Sequence, residues 1–243
     1  MIKLAISGFC GKMGQRIFAL SKNDKNLKVV VGLESKNHPN AGKIIDGVKV
    51  MDNLEALKDC DCLIDFSAPI AALLYLNYLV KFKKAAVIGT TGFNEAEQAK
   101  IKSVAKKIPI VFSPNMSIGV NLLFRLAQMA AKTLPGYKVY VQEAHHINKK
   151  DSPSGTAKKI VQIINEEGFN LKTEEVKAIR EGEIVGDHKI VFESEVDKIE
   201  LFHSAKTRDI FARGALLAAS WIKGKKNGLY TMDNILFNNS KKK

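Results

Sequence analysis

An α/β fold, with a mostly parallel first sheet and a second unit built on an open mixed sheet, is predicted by three observations. β-prone runs alternate with apolar-periodic helical runs over residues 1–112. A glycine-rich loop joins the first such run to the first helix. Pro114 then breaks the alternation, and a long amphipathic helix and antiparallel-type runs follow. At 243 residues the chain can hold two modest domains. Their expected bounds are 1–116, with 209–243 returning to that domain, and 117–208.

Lys3-Leu4-Ala5-Ile6 reads as a short buried strand. Gly8-Phe9-Cys10-Gly11-Lys12-Met13-Gly14 follows, then a helix through Ile17, Phe18 and Leu20. Strand, glycine loop and helix are the context that a dinucleotide-binding fingerprint requires. The spacing is G-x-x-G-x-x-G, one residue looser at the first glycine than G-x-G-x-x-G. Gly11 and Gly14 keep their tasks, close approach to a pyrophosphate and close helix–strand packing. A second apolar strand, from Leu27 to Leu33, ends at Glu34, 20 residues past Gly14. A carboxylate there holds adenosine ribose hydroxyls. Ser35 offers one hydrogen bond and Lys36 a point charge, so NADH and NADPH are both expected as cofactors.

The alternation continues with a strand over 62–66, a helix over 70–82, a strand over 85–88, a helix over 95–107 and a strand over 108–112. Ligands of such sheets bind beyond the carboxyl ends of the strands. That rule collects residues 8–14, Glu34, Ser67, Gly89-Thr90-Thr91-Gly92 and Ser113-Pro114-Asn115-Met116 along one edge. Small and hydroxyl residues there let backbone approach a nicotinamide and its ribose.

After Pro114 a helix is expected from Ser117 through Leu122, Leu126 and Met129 to Pro135-Gly136. Residues 137–141 alternate as a strand. They lead into Glu143-Ala144-His145-His146-Ile147-Asn148-Lys149-Lys150-Asp151-Ser152-Pro153-Ser154-Gly155-Thr156-Ala157. Ser154-Gly155-Thr156 opens a helix through Ile160, Val161 and Ile164. A helix N-terminus carries partial positive charge and unpaired N–H groups, so with Lys149 and Lys150 upstream it can clamp a carboxylate or phosphate. The residues alone leave this reading open beside a plainer one, a surface His-His pair without a task. Neighbours on a strand point to opposite faces, so the two rings do not share a metal ion. Residues 189–194 and 198–204 read as antiparallel strands joined around Glu195-Val196-Asp197. Residues 210–222 read as a helix, and 229–237 as a short last segment.

Composition narrows the classes. The net charge is +13, but the lysines are spread along the chain and lack interleaved aromatics, so no nucleic acid is expected as a partner. The basic cluster Lys241-Lys242-Lys243 is expected to be a solvated, disordered tail. No apolar run is long enough for a membrane helix, and the start of the chain is not a signal peptide, so a cytoplasmic location is expected. The three cysteines Cys10, Cys60 and Cys62 lack zinc spacing; they are expected to be small buried residues, with no metal bound.

Taken together the motifs resemble the dihydrodipicolinate reductase family. The most specific are Glu143-Ala144-His145-His146-x-x-Lys149-x-Asp151-x-Pro153-Ser154-Gly155-Thr156-Ala157 and Gly8-x-x-Gly11-Lys12-Met13-Gly14. Gly89-Thr90-Thr91-Gly92, residues 115–121 and Arg180-Glu181-Gly182-Glu183-Ile184-Val185-Gly186-Asp187-His188 also match in order. The resemblance implies an N-terminal Rossmann dinucleotide-binding domain and a C-terminal domain whose open sheet builds a homotetramer. It implies reduction of 4-hydroxy-tetrahydrodipicolinate, a small dicarboxylate, by NADH or NADPH with loss of water. Carried over by position, it implies His145 and Lys149 as the proton-handling pair, and His146, Lys149, Gly155 and Thr156 as substrate ligands. Gly8, Gly11, Lys12, Met13, Gly14, Glu34, Ser35, Gly89, Thr90, Thr91, Ser113, Pro114, Asn115 and Met116 are the expected cofactor contacts. Two departures stand out: a shorter segment between Glu175 and Arg180, and Ser35 where some relatives place an arginine. The competing readings are another two-domain NAD(P)-dependent amino-acid dehydrogenase and a basic regulator that binds nucleic acid or senses NAD. The first leaves the Ser-Gly-Thr clamp unexplained, the second the whole stretch from His145 to Thr156.

Overall fold

The computed structural model describes residues 1–237. The expected lysine tail lies outside the described residues. In chain order the elements are β1 (Ile2–Ser7), α1 (Lys12–Ser21), β2 (Leu27–Leu33), β3 (Ile44–Ile45), β4 (Val48–Met51), β5 (Cys62–Asp65), α2 (Pro69–Phe82), β6 (Ala85–Ile88), α3 (Glu95–Val104) and β7 (Pro109–Phe112). Then come α4 (Ile118–Thr133), β8 (Lys138–His145), α5 (Gly155–Glu166), β9 (Lys177–Arg180), β10 (Gly186–Glu193) and β11 (Lys198–Ala205). The chain closes with α6 (Asp209–Trp221), β12 (Gly228–Tyr230) and α7 (Met232–Leu236). It divides into two compact units, one of Met1–Ser117 with the described residues from Phe211 onward, the other of Ile118–Ile210.

In the first unit the strand order is β12-β7-β6-β5-β1-β2-β4-β3. All pairs are parallel except β3 with β4. With β1 near the centre and the chain winding outward both ways, this is the Rossmann arrangement with one strand added at each edge, β12 and β3. Alternating residues serve opposite faces. Leu4, Ile6, Ile64, Val87 and Val111 pack with Ile17 and Phe18 of α1 and Ala215 and Ala219 of α6. Ala5, Leu63, Ala86, Ile88 and Ile110 pack with Leu76 and Leu79 of α2 and Ile101 of α3. Strands buried on both faces read as unbroken apolar runs, which is why they are legible in the sequence.

The second unit holds a four-stranded sheet in the order β11-β10-β8-β9. β10 pairs antiparallel with both β11 and β8, and β8 pairs parallel with β9. One face carries Val139, Val141, Ile190 and Phe192, covered by Leu123 and Ala127 of α4 and by Ile160 and Ile164 of α5. The hairpin turns where expected, with the Ser194 hydroxyl donating to Asp197 Oδ1 at 2.5 Å.

Some elements differ from expectation. The helix expected over 95–107 ends at Val104. Pro109 restricts Ile108 to extended backbone, so the chain must leave the helix in time to enter β7. The edge hairpin β3–β4 and the edge strand β9 were not foreseen. Ile44–Ile45 is only two residues long, and Lys177–Arg180 has a charge at each end, so neither shows a usable period. Cys60 and Cys62 are buried as expected, whereas Cys10 is half-exposed at the glycine loop.

Gly14 shows how tightly α1 meets β1. A side chain there would collide with the carbonyl oxygens of Gly8 and Phe9. Gly14→Ala is therefore expected to cost about 1–3 kcal/mol, the usual range for overpacking. A thermal unfolding midpoint equal to that of the unaltered protein would contradict this close approach.

Candidate functional site

The glycine loop leaves the carboxyl end of β1. Gly8 has φ +62°, and a side chain on it would meet the Phe66 carbonyl oxygen at 2.8 Å. Gly11 caps α1, and its N–H donates to Gly8 O at 3.0 Å. Lys12, Met13 and Gly14 form the first turn of α1, with Lys12 exposed and Met13 half-buried. Glu34 follows β2 and folds back on this loop, its Oε1 accepting the Cys10 N–H at 2.6 Å. The carboxylate thus lies against the glycine loop, where a dinucleotide fingerprint needs its ribose acid. Ser35 is exposed, and its carbonyl accepts the His38 N–H at 3.1 Å.

The neighbouring parallel strands end at Asp65, Ile88 and Phe112, which brings the loops beginning at Phe66, Gly89 and Ser113 to the same edge as Gly8. Asp65 is buried there among hydroxyls. Ser7 donates to its Oδ1, Ser67 donates to Oδ1 at 2.6 Å, and Thr90 donates to Oδ2 at 2.6 Å. The Ser67 N–H in turn donates to Thr90 Oγ1 at 2.9 Å. Burial pushes the Asp65 carboxyl above its ordinary value against the pull of Ser67, Ser7 and Thr90. Thr90 is thus buried and engaged, while Gly89 is half-buried and Thr91 exposed. Ser113 is also buried, its hydroxyl donating to Asn115 O at 3.2 Å, and Asn115 Oδ1 accepts the Ser117 N–H at 2.8 Å. Pro114 is exposed. The Met116 side chain is only 2% exposed and belongs to the core. It can offer a ligand backbone but no side chain.

The second unit gathers its polar groups around Glu143. Glu143 and His145 alternate on β8 and so share a face. The His145 Nδ1 is hydrogen-bonded to Glu143 Oε2. Arg180, at the end of β9, grips the same carboxylate with two bonds, Nη1 to Oε2 at 3.0 Å and Nη2 to Oε1 at 2.8 Å. The Ser154 N–H adds a fourth contact, to Oε1, at 3.2 Å. Ser154 also caps α5, its Oγ accepting the Ala157 N–H at 3.2 Å and lying 3.3 Å from His188 Nε2. Gly155 and Thr156 form the first turn of that helix. The His145 and His188 rings meet edge to face at 5.3 Å, and His145 Nε2 lies over Gly186, where a side chain would come within 3.0 Å of it. Beyond the strand, His146 is half-buried, its N–H donating to Ile184 O at 2.7 Å. Lys149 pairs with Asp151 at 2.8 Å.

Charge follows from these contacts. Burial pushes the Glu143 carboxyl up, but Arg180 and His145 together pull it below its ordinary value. Burial lowers His145 against the pull of Glu143, and the nearby Lys149 and Arg180 charges lower it further. His188 is pushed down to about 3, first by burial and then by the His145 charge. With Nδ1 turned to a carboxylate, the neutral His145 donates there and leaves the Nε2 lone pair as its reactive position.

Three residues of this network, Glu143, Arg180 and His188, stand in the motifs above but were assigned no task, and Ser154 was read only as part of a helix start. Spacing could have found one of them: Glu143 and His145 are two apart on a strand, a carboxylate beside an imidazole. Nothing in the sequence places Arg180 on Glu143, because β9 was not legible. Asp65 was likewise hidden inside an apolar strand.

A doubly wound sheet with a glycine loop and an acid after its second strand, joined to a unit holding a carboxylate-bound imidazole at a helix start, defines a two-domain nicotinamide-dependent oxidoreductase. Models of the dihydrodipicolinate reductase N-terminus and C-terminus match residues 2–116 and 119–236. The chain belongs to the dihydrodipicolinate reductase family. The 4-hydroxy-tetrahydrodipicolinate reductase of Aquifex aeolicus is 42% identical over 264 aligned positions, covering 97% of this chain and 98% of the relative. That of Pelagibacter ubique is 42% identical over 255, with the same coverage. A dipicolinate-bound dihydrodipicolinate reductase from Paenisporosarcina sp. TG-14 superposes with a TM-score of 0.81 at 26% identity, covering 95% of this chain and 97% of that one. Aspartate dehydrogenase from Thermotoga maritima shares the fold alone, with a TM-score of 0.56 at 15% identity over 93% of this chain and 98% of its own.

The depressed His188 gives a pH test. This imidazole protonates near 6.5 when unperturbed and near 3 when folded. Between those values the unfolded chain binds more protons, so stability falls as pH drops from about 6.5 toward about 3. His188→Gln keeps a polar partner for Ser154 and removes the titration. Denaturant unfolding at several pH values is expected to show a shallower acid loss in this variant; an identical slope would count against the buried neutral imidazole.

Proposed function

We propose that this protein reduces 4-hydroxy-tetrahydrodipicolinate to tetrahydrodipicolinate with loss of water, using NADH or NADPH, in the diaminopimelate route to lysine. The observation that carries this reading is the match of both halves, in order, to one reductase family. The geometry supports it in each unit.

When bound, the nicotinamide cofactor supplies a hydride. The residues present fit it. Gly8 and Gly14 leave no room for side chains at the turn, and Glu34 lies against the loop backbone. Gly11, Lys12 and Met13 at the start of α1 hold its phosphates, and Glu34 and Ser35 its adenosine ribose. Gly89, Thr90, Thr91 and the 113–116 loop line the nicotinamide end. Asp65 locks Ser67 and Thr90 in place behind that loop.

The substrate is a small diacid. Lys149 and the first-turn N–H groups of Gly155 and Thr156 hold its carboxylates, since cationic and dipolar donors at a helix start favour anions. His146 adds a hydrogen bond. The reaction takes up one hydride and one proton and releases one water. His145 is held through Nδ1 by Glu143, and Lys149 pairs with Asp151. His145 and Lys149 handle the proton between them, and the Glu143 carboxylate orients the His145 ring. Residues 1–116, with 209–243, serve the dinucleotide, and 117–208 serve the substrate and assembly.

A homotetramer and a cytoplasmic location complete the reading. The sheet face of the second unit away from α4 and α5 exposes Tyr140 and Phe202, which suits burial against further copies of the chain. No helix among the described residues is long and apolar enough to cross a membrane.

Steady-state reduction of the substrate tests the site. His145→Ala and Lys149→Ala are each expected to lower kcat by roughly 10²-fold or more, the scale of general acid–base loss. Full activity in both would refute the assignment. Glu34→Ala is expected to raise the cofactor Kd with little change in kcat, and an unchanged Kd would remove Glu34 from the ribose.

A further inference from the structure

We infer that Cys10, Glu34 and His38 form a binding site for a divalent cation of the zinc class, and that an ion held there excludes the dinucleotide. The exclusion rests on Glu34 being the ribose carboxylate. Cys10 and His38 are 28 residues apart, so spacing alone suggests no site. The fold brings them together. Cys10 stands in the glycine loop and Glu34 after β2, and the turn closed by the His38 N–H to Ser35 O bond carries the imidazole back to both. One ligand atom from each of the three lies within 4.8 Å of the others.

The donor set selects the ion. Thiolate, imidazole and carboxylate together suit zinc, and three protein ligands leave a fourth position for water. Magnesium and calcium prefer oxygen throughout. Bonds of about 2.0–2.3 Å set tetrahedral ligand atoms roughly 3.5 Å apart, so the trio must close by about 1 Å. All three residues are half-exposed in loops. Asn40 already touches two of them: its Nδ2 donates to Cys10 Sγ at 3.5 Å, and its N–H donates to His38 Nδ1 at 3.2 Å. On binding, the Cys10 thiol releases its proton to solvent. The thiolate and the carboxylate then balance the charge of the ion. Cys10 is also the accessible thiol. Burial pushes Cys60 up to about 12 and raises Cys62 well above the ordinary value. A bound ion occupies the carboxylate that the ribose hydroxyls require, so metal and cofactor compete.

Cobalt(II) in place of zinc reads the site directly. Titration into the cofactor-free protein is expected to produce a thiolate-to-cobalt charge-transfer band. The band should be lost in Cys10→Ser, weakened in His38→Ala, and removed by added NADH. In turnover assays zinc should raise the KM for NADH and leave kcat unchanged, and Cys10→Ser should abolish that effect. No band, a band that survives Cys10→Ser, or bound cobalt that NADH fails to displace would each overturn the proposal. Glu34→Gln, measured for NADH binding without metal, reports on the ribose reading alone. A failure of that reading is thus distinguishable from a failure of the cobalt band.

Discussion

The polar interior of the second unit depends on one buried carboxylate. Glu143 takes two bonds from Arg180, one from Ser154 and one from the His145 ring, and these come from three separate elements or their flanks. Removing one partner of such a buried pair typically costs about 3–5 kcal/mol, because the remaining charge is left uncompensated. The same contacts fix where β9 ends, where α5 begins and how His145 is turned. A single charge therefore couples the fold of this unit to the chemistry of its histidine.

Asp65 in the first unit makes the contrast. It too is buried, but its partners among the described residues are the hydroxyls of Ser7, Ser67 and Thr90. Burial therefore prevails, and its carboxyl rises, whereas the Arg180 guanidinium and the His145 ring bring Glu143 down. One carboxylate organises a proton-handling cluster; the other ties loop hydroxyls at the edge of the parallel sheet. The partner decides between them, since desolvation acts on both in the same direction.

Much of the fold could be read directly. Strands buried on both faces appear as apolar runs, and helices such as α1 and α5 show a periodic apolar stripe under recognisable starts. The glycine loop and Glu34 were legible because local geometry constrains their spacing. Short edge elements were not. β3 and β9 have too few residues for a period, so their place comes from pairing with β4 and β8. The Met116 side chain belongs to the core, which its position after a strand end does not reveal.

The amino-acid sequence by itself determined the class of fold, the glycine loop with its acid, and the His145-to-Thr156 stretch, because each rests on short-range spacing and on the physics of strand and helix periods. Only the tertiary structure decided that Arg180 neutralises Glu143, that His188 is held neutral beside His145, and that Cys10, Glu34 and His38 meet. Those contacts join residues far apart in the chain. Their energies come from burial and charge pairing, which no local pattern encodes.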